Sequence, residues 1–156
     1  MIEIVNYQNK YKRELFNIHS SVLPINDQMS EKSFFDEFSQ NTRQYFVAID
    51  SQTKSVPIVV GYIGLFDCDS DFNIIGIAVK REYQHKGVGR MLLNKAVEYA
   101  NVHNKISLSL EVDEKNCNAV NFYKNFGFEE VSRRHNYYKT SDAIIMFYYL
   151  NVDYIQ

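Results

Sequence analysis

The sequence predicts an α+β (or α/β) protein with a mixed sheet, on two observations. Phe72–Val79, Gly87–His103 and Lys105–Val112 read in turn as strand, helix and strand. That order and length make a βαβ unit with parallel strands and a right-handed crossover. Strand-like runs elsewhere outnumber helices, so one parallel crossover lies inside an otherwise antiparallel order. The chain of 156 residues, 46% hydrophobic and 23% charged, suits one ordered domain, 1–156, with a real core.

Each element has its own pattern. Ile2–Val5 reads as a short first strand, and Tyr7–Ser20 as an amphipathic helix carrying Tyr11, Leu15, Phe16 and Ile18. Ser21–Gln28 holds Pro24 and an Asn-Asp pair, which predict a loop. Ser30 is placed to cap a second helix containing Glu31, Phe34, Phe35 and Phe38. Tyr45–Ile49 and Ile58–Phe66 read as strands joined by the polar turn Asp50–Lys54. The run Ile74–Val79 is apolar without alternation, the pattern of a strand covered on both faces.

In Gly87–His103, Val88, Met91, Leu92, Ala96, Tyr99 and Ala100 form one stripe, and Arg90, Asn94, Glu98 and Asn101 the opposite face. In Lys105–Val112, Ile106, Leu108, Leu110 and Val112 alternate against Ser107, Ser109 and Glu111. Asn116–Phe126 is a second short helix, with Ala119, Phe122, Tyr123 and Phe126 on one face and Gly127 where a left-handed cap is wanted. Phe128–Arg134 and Ala143–Leu150 are the last strands, joined by an irregular Tyr-rich segment, and Asn151–Gln156 is a tail. The total is about seven strands and four helices.

Composition excludes several classes of function. The net charge of −2 and sequence pI near 6.1 supply no field for nucleic acid, and Lys105, Arg133 and Arg134 make no long basic stripe. Val56–Phe66, about eleven residues with Pro57 and Gly61, is too short for a membrane helix of about twenty. Met1–Val5 does not read as a signal peptide. Cys68 and Cys117 are far apart and read as free thiols, which with the rest suggests a cytoplasmic protein. His19, His85, His103 and His135 have no metal-ligand spacing.

Gln84-His85-Lys86-Gly87-Val88-Gly89-Arg90 lies between an apolar strand and a strongly amphipathic helix. A first helical turn presents unpaired N–H groups and the positive end of its dipole. Two glycines let an anion approach the backbone, and Lys86 and Arg90 add charge. It is neither a Walker A loop nor the dinucleotide fingerprint, which would have a third glycine at Leu92. On these residues alone, an anion site and a ligand-free glycine turn are equally compatible.

Gln84-x-x-Gly87-x-Gly89, following Ile77-Ala78-Val79, resembles the acetyl-CoA motif of the GNAT acetyltransferases. Further matches follow in order: Leu110-Glu111-Val112, Asn116, Ala119, Phe122-Tyr123, Gly127-Phe128, Arg134-x-Asn136-Tyr137-Tyr138 and Asp142–Met146. They are similar to the ribosomal-protein alanine N-acetyltransferase branch of that family. The resemblance covers Ile74–Met146 well and the N-terminal half loosely. It implies the GNAT fold, a single acetyltransferase domain, and acetyl-CoA as donor with no metal.

The resemblance also implies roles. Gln84–Arg90 would hold the cofactor pyrophosphate, His85 included, and Asn116 would contact the cofactor. The backbone of Ile77, Ala78 and Val79 would pair with the pantetheine arm like an added strand. Glu111 would be the general base, directly or through water, and Tyr123 the general acid that protonates the thiolate. Residue patterning alone allows other roles: Tyr123 lies on an apolar stripe like a core tyrosine, Asn116 is placed like a helix N-cap, and a strand-end glutamate is commonly solvated. Cys117 reads as a small residue at a helix start.

For the acceptor, an α-amine with a pKa of about 8 is neutral far more often at pH 7 than a lysine amine at about 10.4. A modest base such as Glu111 therefore suits a protein or peptide N-terminus. The segment Arg134–Tyr138 resembles the peptide-side loop of the branch, with Tyr137 and Tyr138 as groove residues. Where that branch usually has Phe-Pro-Trp, this chain has Leu23-Pro24-Ile25, then Asn26–Met29. Two alternatives stay open: a small-molecule amine or polyamine acetyltransferase, and a non-catalytic acyl-CoA-binding sensor. Oligomeric state is not legible in the sequence.

Overall fold

The structure is a computed structural model that describes residues 1–52 and 55–150. The turn expected over Asp50–Lys54 lies partly outside the described residues, and the tail Asn151–Gln156 wholly so. The elements are β1 (Ile2–Asn6), α1 (Lys12–Val22), α2 (Glu31–Glu37), β2 (Arg43–Asp50), β3 (Ile58–Cys68), β4 (Asp71–Val79), α3 (Val88–Val102), β5 (Ser107–Asp113), α4 (Cys117–Phe126), β6 (Glu129–Tyr138) and β7 (Ser141–Tyr149). Strand neighbours follow the order β1-β2-β3-β4-β5-β7-β6. β4 and β5 are the parallel pair. β1 with β2, β2 with β3, β5 with β7 and β6 with β7 are antiparallel. Among the described residues, the seven strands and four α-helices are those the patterning predicts.

The chain divides into two compact units. One is Met1–Asp67 with Ile74–Ala96; the other is Cys68–Asn73 with Val97 onward.

In the first unit, α1 and α2 bury their apolar faces on β2 and β3. Leu15, Ile18, Phe34, Tyr45, Val47, Ile49, Val59, Tyr62 and Ala78 form the core. The helix expected over Tyr7–Ser20 begins later: Asn9–Tyr11 is a 3-10 turn, and the α-helix runs on to Val22. The Ser30 cap is present, its hydroxyl accepting from the Ser33 N–H at 3.2 Å. Stacked and edge-on rings fill the core, with Phe34 5.7 Å from Tyr62 and 5.2 Å from Phe38. Along α3, Leu93 is buried beside Val88, Leu92 and Ala96, so the buried face is wider than the expected stripe.

β4 departs from its pattern. A strand covered on both faces is expected, but Ile75, Gly76 and Ile77 are only half-buried. The parallel ladder to β5 is three pairs long, Asp71–Asn73 with Ser107–Ser109. From Ile74 onward β4 therefore has an edge without a strand partner among the described residues.

In the second unit, β5 lies between its β4 and β7 neighbours. Ser107 and Ser109 are buried like the leucines, because both faces of the strand are covered. The Ser109 hydroxyl is satisfied by the Asp71 carboxylate and the Asn73 amide. Ile106 is not on the buried face as expected. It lies outside the strand, 53% exposed, its N–H donating to Ser70 and its carbonyl accepting from Leu150. β6 is the edge strand, almost wholly exposed and rich in charge, a composition that discourages strand addition. It continues past Arg134 to Tyr138, but the register slips over His135–Tyr137. The Tyr-rich segment is thus a bulge inside the β6–β7 hairpin, with Asn136 at φ +53°.

Candidate active site

The first unit holds the candidate anion turn. After β4 the chain makes a 3-10 turn, Arg81–Tyr83, passes through His85 at φ +60° and Gly87 at φ +87°, and enters α3. Among the described residues, no N–H from His85 to Gly89 donates to a backbone carbonyl; the helix ladder opens with Met91 to Gly87 at 3.0 Å. These are the unpaired donors that a helix start presents to an anion. A Cβ built on Gly87 would meet nothing within 4 Å, so open space lies beside Gly87.

Side chains hold the turn in shape. Gln84 Nε2 donates to the Val79 carbonyl at 2.9 Å, joining the turn to the end of β4. The Tyr83 hydroxyl donates to Asp50 at 2.9 Å, and Lys86 lies over the Tyr83 ring at 5.8 Å. The Asp50 carboxyl also accepts from Gln52 N–H and the Met1 ammonium, and its pKa is lowered chiefly by the Gln52 bond. His85 and Lys86 are exposed.

A buried histidine controls the segment before α2. The Met29 N–H donates to His19 Nε2 at 2.7 Å, so Nε2 carries no proton. His19 Nδ1–H therefore donates to the Tyr62 hydroxyl at 2.8 Å. Burial lowers the His19 pKa. Gln28 donates to the Ser20 and Leu23 carbonyls, and Arg81 to that of Ser21. The Leu23–Met29 loop is thereby pinned at several points, although Ile25 projects fully into solvent.

The second unit holds the candidate acid and base. Glu111 is exposed on β5, opposite Ile145 of β7. Its carboxylate faces Arg134 of β6, Oε1 to Nη2 at 3.1 Å, and the Arg134 guanidinium also lies 5.7 Å from the Tyr137 ring. Tyr123 is buried, 8% exposed, with its ring against Phe122 and Phe128. Asn116 is the N-cap of α4, its side chain accepting from the Ala119 N–H at 3.2 Å. Gly127, at φ +127°, closes that helix by donating to the Tyr123 and Lys124 carbonyls. Tyr137 is exposed and Tyr138 half-buried, their rings perpendicular at 5.1 Å.

Asp142 was legible only as part of a motif, yet it organises the bulge. Its carboxylate accepts from Asn136 N–H and pairs with His135, which together lower its pKa, the Asn136 bond most. Its own N–H donates to Glu114. Arg133 bridges Glu114 and Glu130. The two links to Glu114 join residues 19 and 28 positions apart, which no short-range pattern announces. Among the described residues, no group of His, Cys, Asp and Glu could hold a metal, and no helix is long and apolar enough to cross a membrane.

The profile of the Acetyltransferase (GNAT) family matches residues 5–128. The chain belongs to that family. GNAT enzymes are acetyl-CoA-dependent, and this chain is accordingly an N-acetyltransferase. The Escherichia coli K12 [ribosomal protein bS18]-alanine N-acetyltransferase is 39% identical over 121 residues, 75% of this chain and 78% of that one. The crystal structure of the Escherichia coli ribosomal-protein-S18-alanine N-acetyltransferase superposes with TM-score 0.83 at 25% identity, covering 96% of this chain and 94% of that one. Arabidopsis thaliana NAA60 in complex with acetyl-CoA shares the GNAT fold, with TM-score 0.84 at 20% identity over 97% and 99% of the two chains.

Proposed function

We propose that this enzyme acetylates the N-terminal α-amine of a protein or peptide by direct attack on acetyl-CoA. The observation that carries the donor half is the turn into α3: N–H groups from His85 to Gly89 without a backbone partner, and open space beside Gly87. Those residues fit a pyrophosphate, and Lys86 and Arg90 add charge. Gln84 acts through its bond to Val79, shaping the turn rather than touching phosphate. Beyond Asn73 the β4 edge has no strand partner among the described residues, and along it Ile77 is half-buried while Ala78 and Val79 are buried and the Val79 carbonyl accepts from Gln84. An extended amide chain satisfies a free strand edge, so the pantetheine arm is placed along Ile77–Val79. Asn116 is primarily a helix cap.

Glu111 takes the proton from the acceptor ammonium, directly or through water. The free amine attacks the thioester carbonyl, the C–S bond breaks, and Tyr123 protonates the departing thiolate. Tyr137 and Tyr138 line the acceptor side. We take the whole chain as one acetyltransferase domain, since the family match runs through parts of both units.

The bacterial relatives' names support an N-terminal alanine as acceptor. Thiol release from acetyl-CoA, measured with Ala- and Ser-starting peptides, lysine peptides and spermidine, tests the reading. The α-amine peptides should react fastest. Turnover confined to spermidine, or acetyl-CoA binding with no turnover on any acceptor, overturns it.

A further inference from the structure

The two arginines that follow one another on β6 are held differently. Arg133 is gripped by two carboxylates, Glu114 at 2.8 Å and Glu130 at 2.6 Å. Arg134 meets Glu111 through one nitrogen at 3.1 Å and keeps 56% of its side-chain surface in solvent. Its backbone is fixed by pairing with Ala143, and the bulge His135–Tyr137 begins immediately after it. In the same position its guanidinium lies 5.7 Å from the Tyr137 ring, a contact that does not depend on Glu111.

An exposed ion pair of this kind is weak, because water screens it and two long side chains must be ordered to make it. Arg133 is therefore a structural bridge, while Arg134 is displaceable. The carboxylate that Arg134 occupies is the one assigned above to receive the acceptor's ammonium. Two cations at one carboxylate repel each other, so the ammonium and Arg134 compete for its single negative charge.

We propose that Arg134 is a specificity-determining residue that holds the ammonium position on Glu111 until the acceptor displaces it. This rests on Glu111 being the acceptor-side carboxylate. On arrival, the substrate's positive charge replaces that of Arg134, so Glu111 is never left without a cation. The guanidinium lets go of Glu111 and keeps the Tyr137 ring. A neutral amine or an already acetylated N-terminus has no charge with which to displace it, so the exchange selects cationic N-termini and helps release the acetylated product.

Titration calorimetry on the CoA-loaded enzyme tests this, using an Ala-starting peptide and its N-acetylated form. Arg134→Ala should tighten the free-amine peptide by roughly two- to fivefold, the worth of an exposed pair, and leave the acetylated peptide unchanged. Arg134→Lys should restore wild-type affinity. In a Glu111→Gln background, Arg134→Ala should have no effect. Unchanged or weaker binding of the free-amine peptide to Arg134→Ala, or equal tightening of both peptides, overturns the proposal. Turnover separates this outcome from a failure of the base assignment: Glu111→Gln with wild-type turnover removes Glu111 as base, whatever the calorimetry shows.

Discussion

Gln84 and Val79 are joined by a hydrogen bond of 2.9 Å from the side-chain amide to the main-chain carbonyl, which ties the anion turn to the last residue of β4. On the proposed reading, this residue, which resemblance marks as cofactor-binding, holds the donors in place. Gln84→Ala removes one neutral hydrogen bond, worth about 1 kcal/mol, or roughly fivefold in acetyl-CoA affinity. Gln84→Glu sets a carboxylate oxygen against the carbonyl and should cost more. Calorimetric titration of the two variants checks the order. Equal affinities for both and for wild type would assign the bond no part in donor binding.

Gly87 carries a different load. At φ +87° an alanine is strained by about 1–2 kcal/mol, which a melting curve without ligand reads directly. The added methyl would also stand in the open space beside Gly87, where the proposed phosphate approaches. Gly87→Ala should therefore lose more acetyl-CoA affinity than fold stability, at least about thirtyfold in Kd. Wild-type affinity in a folded variant would place the pyrophosphate elsewhere.

The fold was largely legible because its signals are local. The stripe on α3, the Ser30 and Asn116 caps and Gly127 each depend on residues a few positions apart. Errors arose where long-range structure decides. Ile106 follows the alternation of β5 but falls before the strand begins. The half-burial of Ile75–Ile77 depends on a ladder that stops after three pairs. At the site, residue types pointed to an anion turn, but family resemblance named Glu111 and Tyr123. Neither indicated the Glu111–Arg134 pair, twenty-three positions apart in sequence, nor the clamp of His19 on Met29.

Tyr123 has a burial that fits a core tyrosine and a role that would need its hydroxyl. Phenylalanine separates the two. Tyr123→Phe keeps the ring against Phe122 and Phe128, so the melting temperature and acetyl-CoA affinity should hold. Loss of a general acid should lower kcat about a hundredfold or more. Undiminished turnover would leave Tyr123 a packing residue.

His19 makes the first unit sensitive to acid. The folded state favours its neutral form, because burial opposes charge and Nε2 must accept from the Met29 N–H. Its folded pKa lies below the ordinary value of 6.5, so the unfolded chain takes up the proton first as pH falls. The histidine's contribution is fully present above 6.5, and shrinks as pH drops from there through the lower folded value. Protonation would turn Nε2 into a donor facing another donor and release the Met29 N–H from His19. Melting temperatures of the wild type should fall between pH 7.5 and 5 more steeply than those of His19→Gln. That variant should be less stable at pH 7.5 but flatter across the range. Parallel curves for the two proteins would show that His19 does not titrate on unfolding.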